Sequence, residues 1–347
     1  MKKHTMPGKL AGLLLGCVVM SVFSLRAQPS AATAIQQQQN FQQGMELQKP
    51  LVSLKPGTNA PEIYQGENAD IGPQHILRLL PRRTYLMARV DSQYLYSDNV
   101  LLSQQNPTPG TEFVNTVQAA FAPTAYKMGT GRFSPQVGYL SQWFNYGLGG
   151  PGTANGGGPV NAADFNVQTF YTSAKYQFPQ NWTAFAEFDY NRFLSQANYQ
   201  EFYREFVPSA GVQRLVQITG NSLLSFSLQG DYHSSWTVNP PNNSQDRADG
   251  IFSVSYAWQI TPHIAVQPYY QFQYTCYRFA TSPDGKTHAS NRNDYLNSFG
   301  LSAAYYFTPN FSLRAFVSDA INETDDSLAQ KYHAYNFGAD LAYTIHF

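Results

Sequence analysis

The sequence predicts an all-β chain that closes into a transmembrane up-and-down antiparallel β-barrel of about 12 strands. Three observations favour this fold class. Apolar and polar residues alternate in long segments, the connections between segments are alternately short and long, and only 13% of the 347 residues are charged. The segments are about twice as long as the five or six residues of a strand in a typical water-soluble protein.

The last segment shows the alternation most clearly. Because successive side chains of a strand point to opposite faces, residues 335–347 have one apolar and one polar face. The apolar face contains Tyr335, Phe337, Ala339, Leu341, Tyr343, Ile345 and Phe347. The polar face contains Asn336, Gly338, Asp340, Ala342, Thr344 and His346.

Earlier segments repeat this pattern, and the last strand is expected at 332–347. In chain order the other strands are predicted at 84–100, 113–126, 133–146, 165–178, 182–194, 206–218, 223–236, 251–260, 264–279, 295–307 and 311–321. The alternation is least regular in 206–218, where Pro208, Gly211 and Arg214 interrupt it. We expect a β-bulge there, since an extra residue shifts the phase of one strand against its neighbour.

The connections alternate in length. Short turns are predicted near 129–131, 179–180, 220–221, 262–263 and 309–310, with long loops between them. Five short turns and six long loops join twelve strands and put both ends of the barrel on the short-turn side. Three of the short turns contain Pro and a polar residue between apolar or aromatic residues, which we expect at the membrane–water boundary. These turns are Phe178–Trp182, Ile260–Ile264 and Phe307–Phe311.

The polar faces indicate a membrane barrel rather than a water-soluble one. They carry Arg, Lys, Asp, Glu and many Gln and Ser residues, which is too much charge for a dry core. In lipid every backbone donor and acceptor must be paired within the protein, so a spanning sheet has to close. We therefore expect the apolar faces to contact lipid and the polar faces to enclose an aqueous interior. Beyond the N-terminus, no run of about twenty apolar residues predicts a spanning helix.

The N-terminus has the features of an export signal. Lysines precede an apolar stretch that ends at Leu25, and an acceptable cleavage site follows at Ala27. A membrane anchor and a lipoprotein site at Cys17 are the alternatives. Residues 71–77 are expected either to dock against the barrel or to serve as a linker. The predicted division is a signal peptide at 1–27, a largely irregular periplasmic extension at 28–82 and the barrel at 83–347.

Two segments resemble those of known bacterial outer-membrane barrels. Residues 343–347 end on an aromatic residue and are similar to the signal by which such proteins are recognised for assembly, with Tyr343, Ile345 and Phe347 as its apolar positions. Residues 91–100, Asp-Ser-Gln-Tyr-Leu-Tyr-Ser-Asp-Asn-Val, resemble the first strand of β-barrel porin families. The resemblance implies an outer-membrane barrel of a Gram-negative envelope, reached by export through the periplasm. It implies outer-membrane lipid, lipopolysaccharide and the barrel-assembly machinery as partners.

The leading functional prediction is a passive pore for small polar solutes. Twelve strands give an interior wider than a filled eight-stranded barrel and narrower than a porin of sixteen strands. The charged positions on the predicted inner faces are Arg89, Asp91, Lys175, Glu187, Asp189, Asp231, Arg314 and Asp340. Three basic and five acidic groups favour cations slightly. The alternative is that these charges pair with one another inside a plugged, rigid barrel.

Two other functions stay open. One is a structural or export-associated barrel in which residues 28–82 contact periplasmic partners. The other is an outer-membrane hydrolase, since His233 lies beside Ser234 and Ser235 and shares a predicted face with Asp231.

The composition excludes some other classes. A net charge of zero argues against nucleic-acid binding. No Cys or His spacing predicts a metal site, and we expect neither a cofactor nor an enzyme. Cleavage after residue 27 leaves Cys276 as the single cysteine, on a lipid-facing position, so no internal disulfide is expected.

Overall fold

The computed structural model describes residues 85–100, 102, 107–123, 125–146, 164–238, 241–242, 245–281, 287–289, 292–325 and 331–347. The predicted signal peptide, the predicted extension and the segment 71–77 lie outside the described residues. None of the helical structure among the described residues is long and apolar enough to cross a bilayer.

Long strands make up almost all of the described chain, with one 3-10 turn at Pro179–Asn181. The barrel strands are β1 (Leu86–Ser97), β2 (Gly110–Phe121), β4 (Gly131–Tyr146), β5 (Phe165–Gln177), β6 (Trp182–Ser195), β7 (Glu201–Thr219), β8 (Ser222–Val238), β10 (Arg247–Thr261), β11 (Ile264–Tyr277), β14 (Asn293–Thr308), β15 (Phe311–Thr324) and β16 (Tyr332–His346). Short additions are β3 (Tyr126–Met128), β9 (Pro241–Asn242), β12 (Phe279–Thr281) and β13 (Thr287–Ala289).

The twelve barrel strands form a closed antiparallel sheet. Each pairs with the next in the chain, and β16 returns to pair with β1, from Met87 opposite His346 to Ser97 opposite Asn336. Closure leaves no barrel strand with an unpaired edge, which is the condition for a sheet to lie in lipid. The predicted fold class and strand number are therefore confirmed.

The outer face of this barrel is apolar and the inner face polar. Large apolar side chains such as Val90, Phe170 and Phe337 are about half exposed, whereas polar residues at the alternate positions, such as Gln93 and Ser318, are buried. A water-soluble barrel has the opposite arrangement. The burial alternates residue by residue along much of the barrel, for example through all of β15 and most of β16, as predicted from the sequence.

Two local predictions were wrong. The second strand ends at Phe121 rather than Tyr126, because Pro123 has no N–H to donate to a ladder, and the chain resumes pairing as β3 against β4. The expected bulge near Pro208 is absent, since β7 pairs with β8 in constant register until the turn after Gln217. Pro208 and Arg214 point outward and Val207 points inward. The strand therefore keeps its alternation of faces, although polar and apolar residues do not separate cleanly between the two faces.

The short-turn rim is built from aromatic residues and prolines. Phe178, Trp182 and Phe307 are exposed beside the proline turns. Tyr176 packs edge-on against Phe178 at 4.6 Å, and Phe307 stacks on Phe311 at 4.9 Å. Rings at this level are typical of the boundary between hydrocarbon and water.

Aromatic rings cover glycines on the inner wall. Gly138, Gly211 and Gly300 each lie opposite a ring on the neighbouring strand, and a Cβ atom at any of them would overlap that ring. The opposing residues are Tyr171, Phe185 and Tyr269, respectively. The absence of a side chain at these positions therefore allows the rings to lie along the wall.

Candidate functional site

The inner wall of the barrel is the candidate functional site. All eight charged residues named from the sequence lie on the inner face, because the residues before and after each of them face outward. They divide into two groups: Arg89, Asp91, Arg314 and Asp340 are buried, whereas Lys175, Glu187, Asp189 and Asp231 keep contact with solvent.

The buried group consists of two ion pairs. Arg89 Nη2 lies 3.0 Å from Asp91 Oδ2, two residues further along β1. Arg314 on β15 is directly opposite Asp340 on β16, and its Nε donates to Asp340 Oδ2 at 2.7 Å. Each pair cancels one positive and one negative charge within the wall. This part of the interior therefore matches the alternative prediction, in which the inner charges pair with one another.

The second group concentrates negative charge on the wall formed by β5 to β8. Glu187 is opposite Ser209, which in turn is opposite Asp231, so the two carboxylates share one row across β6, β7 and β8. Asp189 follows Glu187 on the same face of β6, and Lys175 lies nearer the short-turn end on β5. Gln229 Nε2 donates to Asp231 Oδ1 at 2.8 Å. We call Lys175, Glu187, Asp189 and Asp231 the acidic wall.

A buried polar network adjoins the acidic wall. His233 Nδ1 lies 3.1 Å from Glu205 Oε2, and His233 Nε2 lies 3.0 Å from Asp249 Oδ2. Arg247 approaches the same two carboxylates at 3.7 and 3.4 Å. Tyr203 donates its hydroxyl to Glu205 Oε2 at 2.8 Å. The network joins β7, β8 and β10 by charge-assisted hydrogen bonds, which are stronger than neutral ones.

Sequence reasoning missed most of this network. Glu205 precedes the predicted start of its strand at Phe206, and Arg247 and Asp249 precede the predicted start at Ile251. The alternation could have revealed these residues, because the odd-numbered positions of both strands continue to face inward without a break. Strand ends are harder to place than strand centres, and in a barrel they carry part of the inner wall.

The hydrolase prediction is not supported by the geometry around His233. Ser234 points outward and is exposed, and the Ser235 hydroxyl donates to Asp246 Oδ1 at 2.8 Å. The His233 contacts with carboxylates described above occupy both of its ring nitrogens. A nucleophilic serine needs a base within hydrogen-bond reach, whereas Ser234 lies on the opposite face from His233 and the Ser235 hydroxyl donates to a carboxylate instead.

An apolar cluster lies inside the barrel near the long-loop end. It consists of the inward residues Val114, Phe144, Phe165, Val167, Phe193 and Tyr203, all essentially buried. Phe144 stacks on Phe165 at 4.5 Å, and Phe193 packs edge-on against Tyr203 at 5.1 Å. Tyr146 on β4, Ala334 on β16, and Val100 and Leu102 from the connection after β1 complete the cluster. The expectation of a polar inner face throughout is therefore wrong at this end, where the strands and a connection pack as a small core.

Of the residues of the predicted assembly signal, Tyr343 and Ile345 lie on the outer face of β16 and Phe347 directly follows the strand. Tyr343 and Phe347 are exposed, and Ile345 is half-buried. The backbone of Phe347 bonds to the start of β1, with Tyr85 N donating to Phe347 O at 2.8 Å. The role of Tyr343, Ile345 and Phe347 in assembly stays a prediction.

The described residues contain no group of three His, Cys, Asp or Glu side chains that could hold a metal ion. Cys276 is a free, exposed thiol on the outward phase of β11.

Closure, an apolar exterior, a charged interior and alternating short and long connections together define a β-barrel of the outer-membrane class. The chain matches no model of a known protein family and no curated protein. Among solved structures it is similar to an outer-membrane channel of Pseudomonas putida F1, with 12% identity over 77% of this chain and 97% of that one and a TM-score of 0.49.

Two further solved structures have comparable similarity. The β-domain of the Bordetella autotransporter BrkA is 11% identical over 76% of this chain and all of that one, with a TM-score of 0.45. The KdgM porin is 10% identical over 74% and 99%, with a TM-score of 0.39.

Proposed function

We propose that this protein is an outer-membrane channel for small polar solutes and that it prefers cations. The observation that carries the proposal is the acidic wall, whose charged side chains face the interior and remain in contact with solvent. Charges that serve only to stabilise a packed interior would be paired and buried, as Arg314 and Asp340 are.

The preference for cations follows from the charges that stay unbalanced. The two buried ion pairs are neutral. The acidic wall has one positive and three negative side chains and therefore a formal charge of −2. A narrow passage lined by one sign of charge concentrates the opposite ion and excludes its own.

The size limit follows from strand number and from the apolar cluster. A twelve-stranded barrel has a narrow interior compared with a sixteen-stranded porin. The apolar cluster occupies part of that interior near the long-loop end. We therefore expect passage of ions and small polar molecules and exclusion of large ones.

Planar bilayer recording of the purified full-length protein tests this function. A KCl gradient should give a reversal potential of the sign expected for K⁺ preference. The triple variant Glu187→Gln, Asp189→Asn, Asp231→Asn should shift that potential towards zero. Glu323→Gln is the matched control, since Glu323 is an exposed carboxylate on the outward phase of β15. A silent wild-type protein, or a reversal potential that the triple variant leaves unchanged, contradicts the proposal.

The location and processing of the chain belong to the same proposal. We expect the protein in the outer-membrane fraction of a Gram-negative cell, with a mature N-terminus at Gln28. Fractionation followed by N-terminal sequencing measures both. Recovery from the cytoplasm with residues 1–27 retained would contradict this part.

The structural or export-associated alternative makes a different prediction for residues 28–82. Deletion of these residues should leave conductance and selectivity unchanged if the barrel alone forms the channel. Loss of envelope integrity with unchanged conductance would favour a structural role for the extension.

A further inference from the structure

Two arginines lie side by side on the outer surface of the hairpin formed by β6 and β7. Arg192 and Arg204 are directly opposite each other on the paired strands, and their side chains are 36% and 43% exposed. Both arginines contact the carboxylate of Glu201: Arg192 Nε lies 2.8 Å from Glu201 Oε2, and Arg204 Nη1 lies 3.6 Å from Glu201 Oε1. The group therefore keeps one excess positive charge.

The strand register places this pair at a definite level of the membrane. Ten residues before Arg192 on β6 is Trp182, and ten residues after Arg204 on β7 is Arg214. The Arg214 guanidinium lies 5.1 Å from the centre of the Trp182 ring, at the aromatic short-turn rim. Ten residues at about 3.3 Å each, in strands tilted by about 40°, rise about 25 Å. This equals the height of the apolar band of an outer-membrane barrel.

The outward side chains between the two levels fit that assignment, since none is charged. They are Ala184, Ala186, Phe188 and Tyr190 on β6, and Phe206, Pro208, Ala210 and Val212 on β7. The two arginines therefore lie just beyond the hydrocarbon, on the long-loop side.

Aromatic rings mark the same boundary. Tyr190 stacks on Phe206 at 4.8 Å immediately below the arginines. Trp236, which is opposite Arg204 on β8, is exposed. Tyr and Trp are enriched where hydrocarbon meets headgroups. The connection between β6 and β7, residues 196–200, is short, and Arg192 and Arg204 remain exposed beneath it.

We propose that Arg192 and Arg204 bind a phosphate group of lipid A in the outer leaflet. Like charges directly opposite on neighbouring strands are destabilising, and Glu201 neutralises only one of the two. A phosphate neutralises the other and accepts parallel hydrogen bonds from the planar guanidinium group. The long-loop side of such barrels faces outward, where lipid A supplies phosphates at the level of the headgroups. The inference rests on the outer-membrane location proposed above and not on conductance.

The test is a titration of the detergent-purified full-length protein with diphosphoryl lipid A, followed by native mass spectrometry. Fully dephosphorylated lipid A is the parallel ligand. The variant Arg192→Gln, Arg204→Gln is compared with Arg214→Gln, which removes the same chemical group at the opposite boundary. Migration of unheated samples in gels verifies that each variant is folded.

We expect wild-type protein and Arg214→Gln to bind diphosphoryl lipid A at least fivefold more tightly than the dephosphorylated form, and the double variant to lose that difference. Equal binding of the two lipids by wild-type protein would overturn the proposal without any variant being needed. Retention of the difference by the double variant, or its loss in Arg214→Gln, would also overturn it. The titration does not depend on current. The lipid-binding proposal can therefore be disproved while the channel function holds, and the channel function can be disproved while lipid binding holds.

Discussion

The ring of Tyr171 on β5 lies across Gly138 on β4, in the space that a Cβ atom at position 138 would need. The two residues are directly opposite in the ladder. The Tyr171 hydroxyl accepts hydrogen bonds from Gln118 Nε2 at 2.8 Å and from Gln136 Nε2 at 3.0 Å. The glycine therefore fixes how a large side chain lies against the inner wall.

Gly138→Ala should destabilise the barrel by about 1–3 kcal/mol, the usual cost of overpacking. The added methyl group forces Tyr171 away from the wall and disturbs its hydrogen bonds with Gln118 and Gln136. Urea unfolding in detergent, followed by tryptophan fluorescence, measures the change. Gly250→Ala is the control, since a Cβ atom there meets nothing within 4 Å. Equal stability of the two variants would show that the ring moves without cost.

Asp340→Asn should destabilise the barrel by about 3–5 kcal/mol, because it leaves the buried Arg314 guanidinium without its charged partner. The same unfolding measurement applies. Glu323→Gln breaks an exposed pair with Lys331 at 2.9 Å and should cost less than about 1 kcal/mol. Similar losses for the two variants would contradict the distinction between buried and exposed pairs.

Lys175→Glu should increase the preference for cations. The substitution changes the formal charge of the acidic wall from −2 to −4. The shift in reversal potential should be largest at low ionic strength, where screening is weakest. Lys331→Glu, at an exposed pair on the long-loop side, is the control. An unchanged potential would mean that Lys175 lies outside the path of the ions.

Phe193→Ala should raise single-channel conductance and lower stability by about 3–5 kcal/mol. Phe193 is fully buried in the apolar cluster, so its removal opens space near the long-loop end of the interior. Phe188→Ala removes the same ring from the lipid-facing side of the same strand and should leave conductance unchanged. Loss of stability without a gain in conductance would show that the cluster lies beside the path.

Asp325, just after β15, makes a pH-dependent contact. Asn293 donates its backbone N–H to Asp325 Oδ1 and its side-chain Nδ2 to Oδ2, both at 2.7 Å. These hydrogen bonds favour the carboxylate and lower the pKa of Asp325. A lowered folded pKa means that the contact stabilises fully above the unfolded pKa and is lost as pH falls through the folded value. The Asn293 amide resonance should therefore titrate below the pH of about 3.9 that is usual for Asp. Titration at or above that pH, or an unchanged profile in Asp325→Asn, would contradict this assignment.

Much of the barrel was predictable from sequence because lipid imposes a simple rule on the outer face. Positions such as Phe337 and Leu341 must be apolar, so the alternation is strong wherever a strand crosses the hydrocarbon. The ends of the strands lack that constraint. Glu205 and Arg247 lie there, and their inward phase is visible only once the register is known. Pro208 shows a second limit, since an outward proline resembles a break and yet pairs with Phe188 on β6 in constant register.

The division of the inner-wall charges into buried ion pairs and residues in contact with solvent was less predictable. Nothing in the sequence distinguishes Asp340, which is paired and buried, from Asp189, which is only partly buried, because each is an acidic residue in an alternating strand. The difference depends on which residue lies opposite: Arg314 faces Asp340, whereas Tyr171 and Val207 flank Asp189. Pairing across strands distant in sequence is tertiary information that no local pattern contains.

The hydrogen bond from Tyr85 to Phe347 makes the two ends of the folded barrel neighbours. The order in which the strands are connected is thus separable from the way they pair. A circularly permuted chain, joined at these ends and cut at the tight turn between Gly220 and Asn221, would retain every ladder but begin with β8 and finish with β7. Phe347 would then lie in mid-chain with its surroundings preserved, and the permutant would reveal whether cells recognise that aromatic residue as a terminus or as one side of a strand.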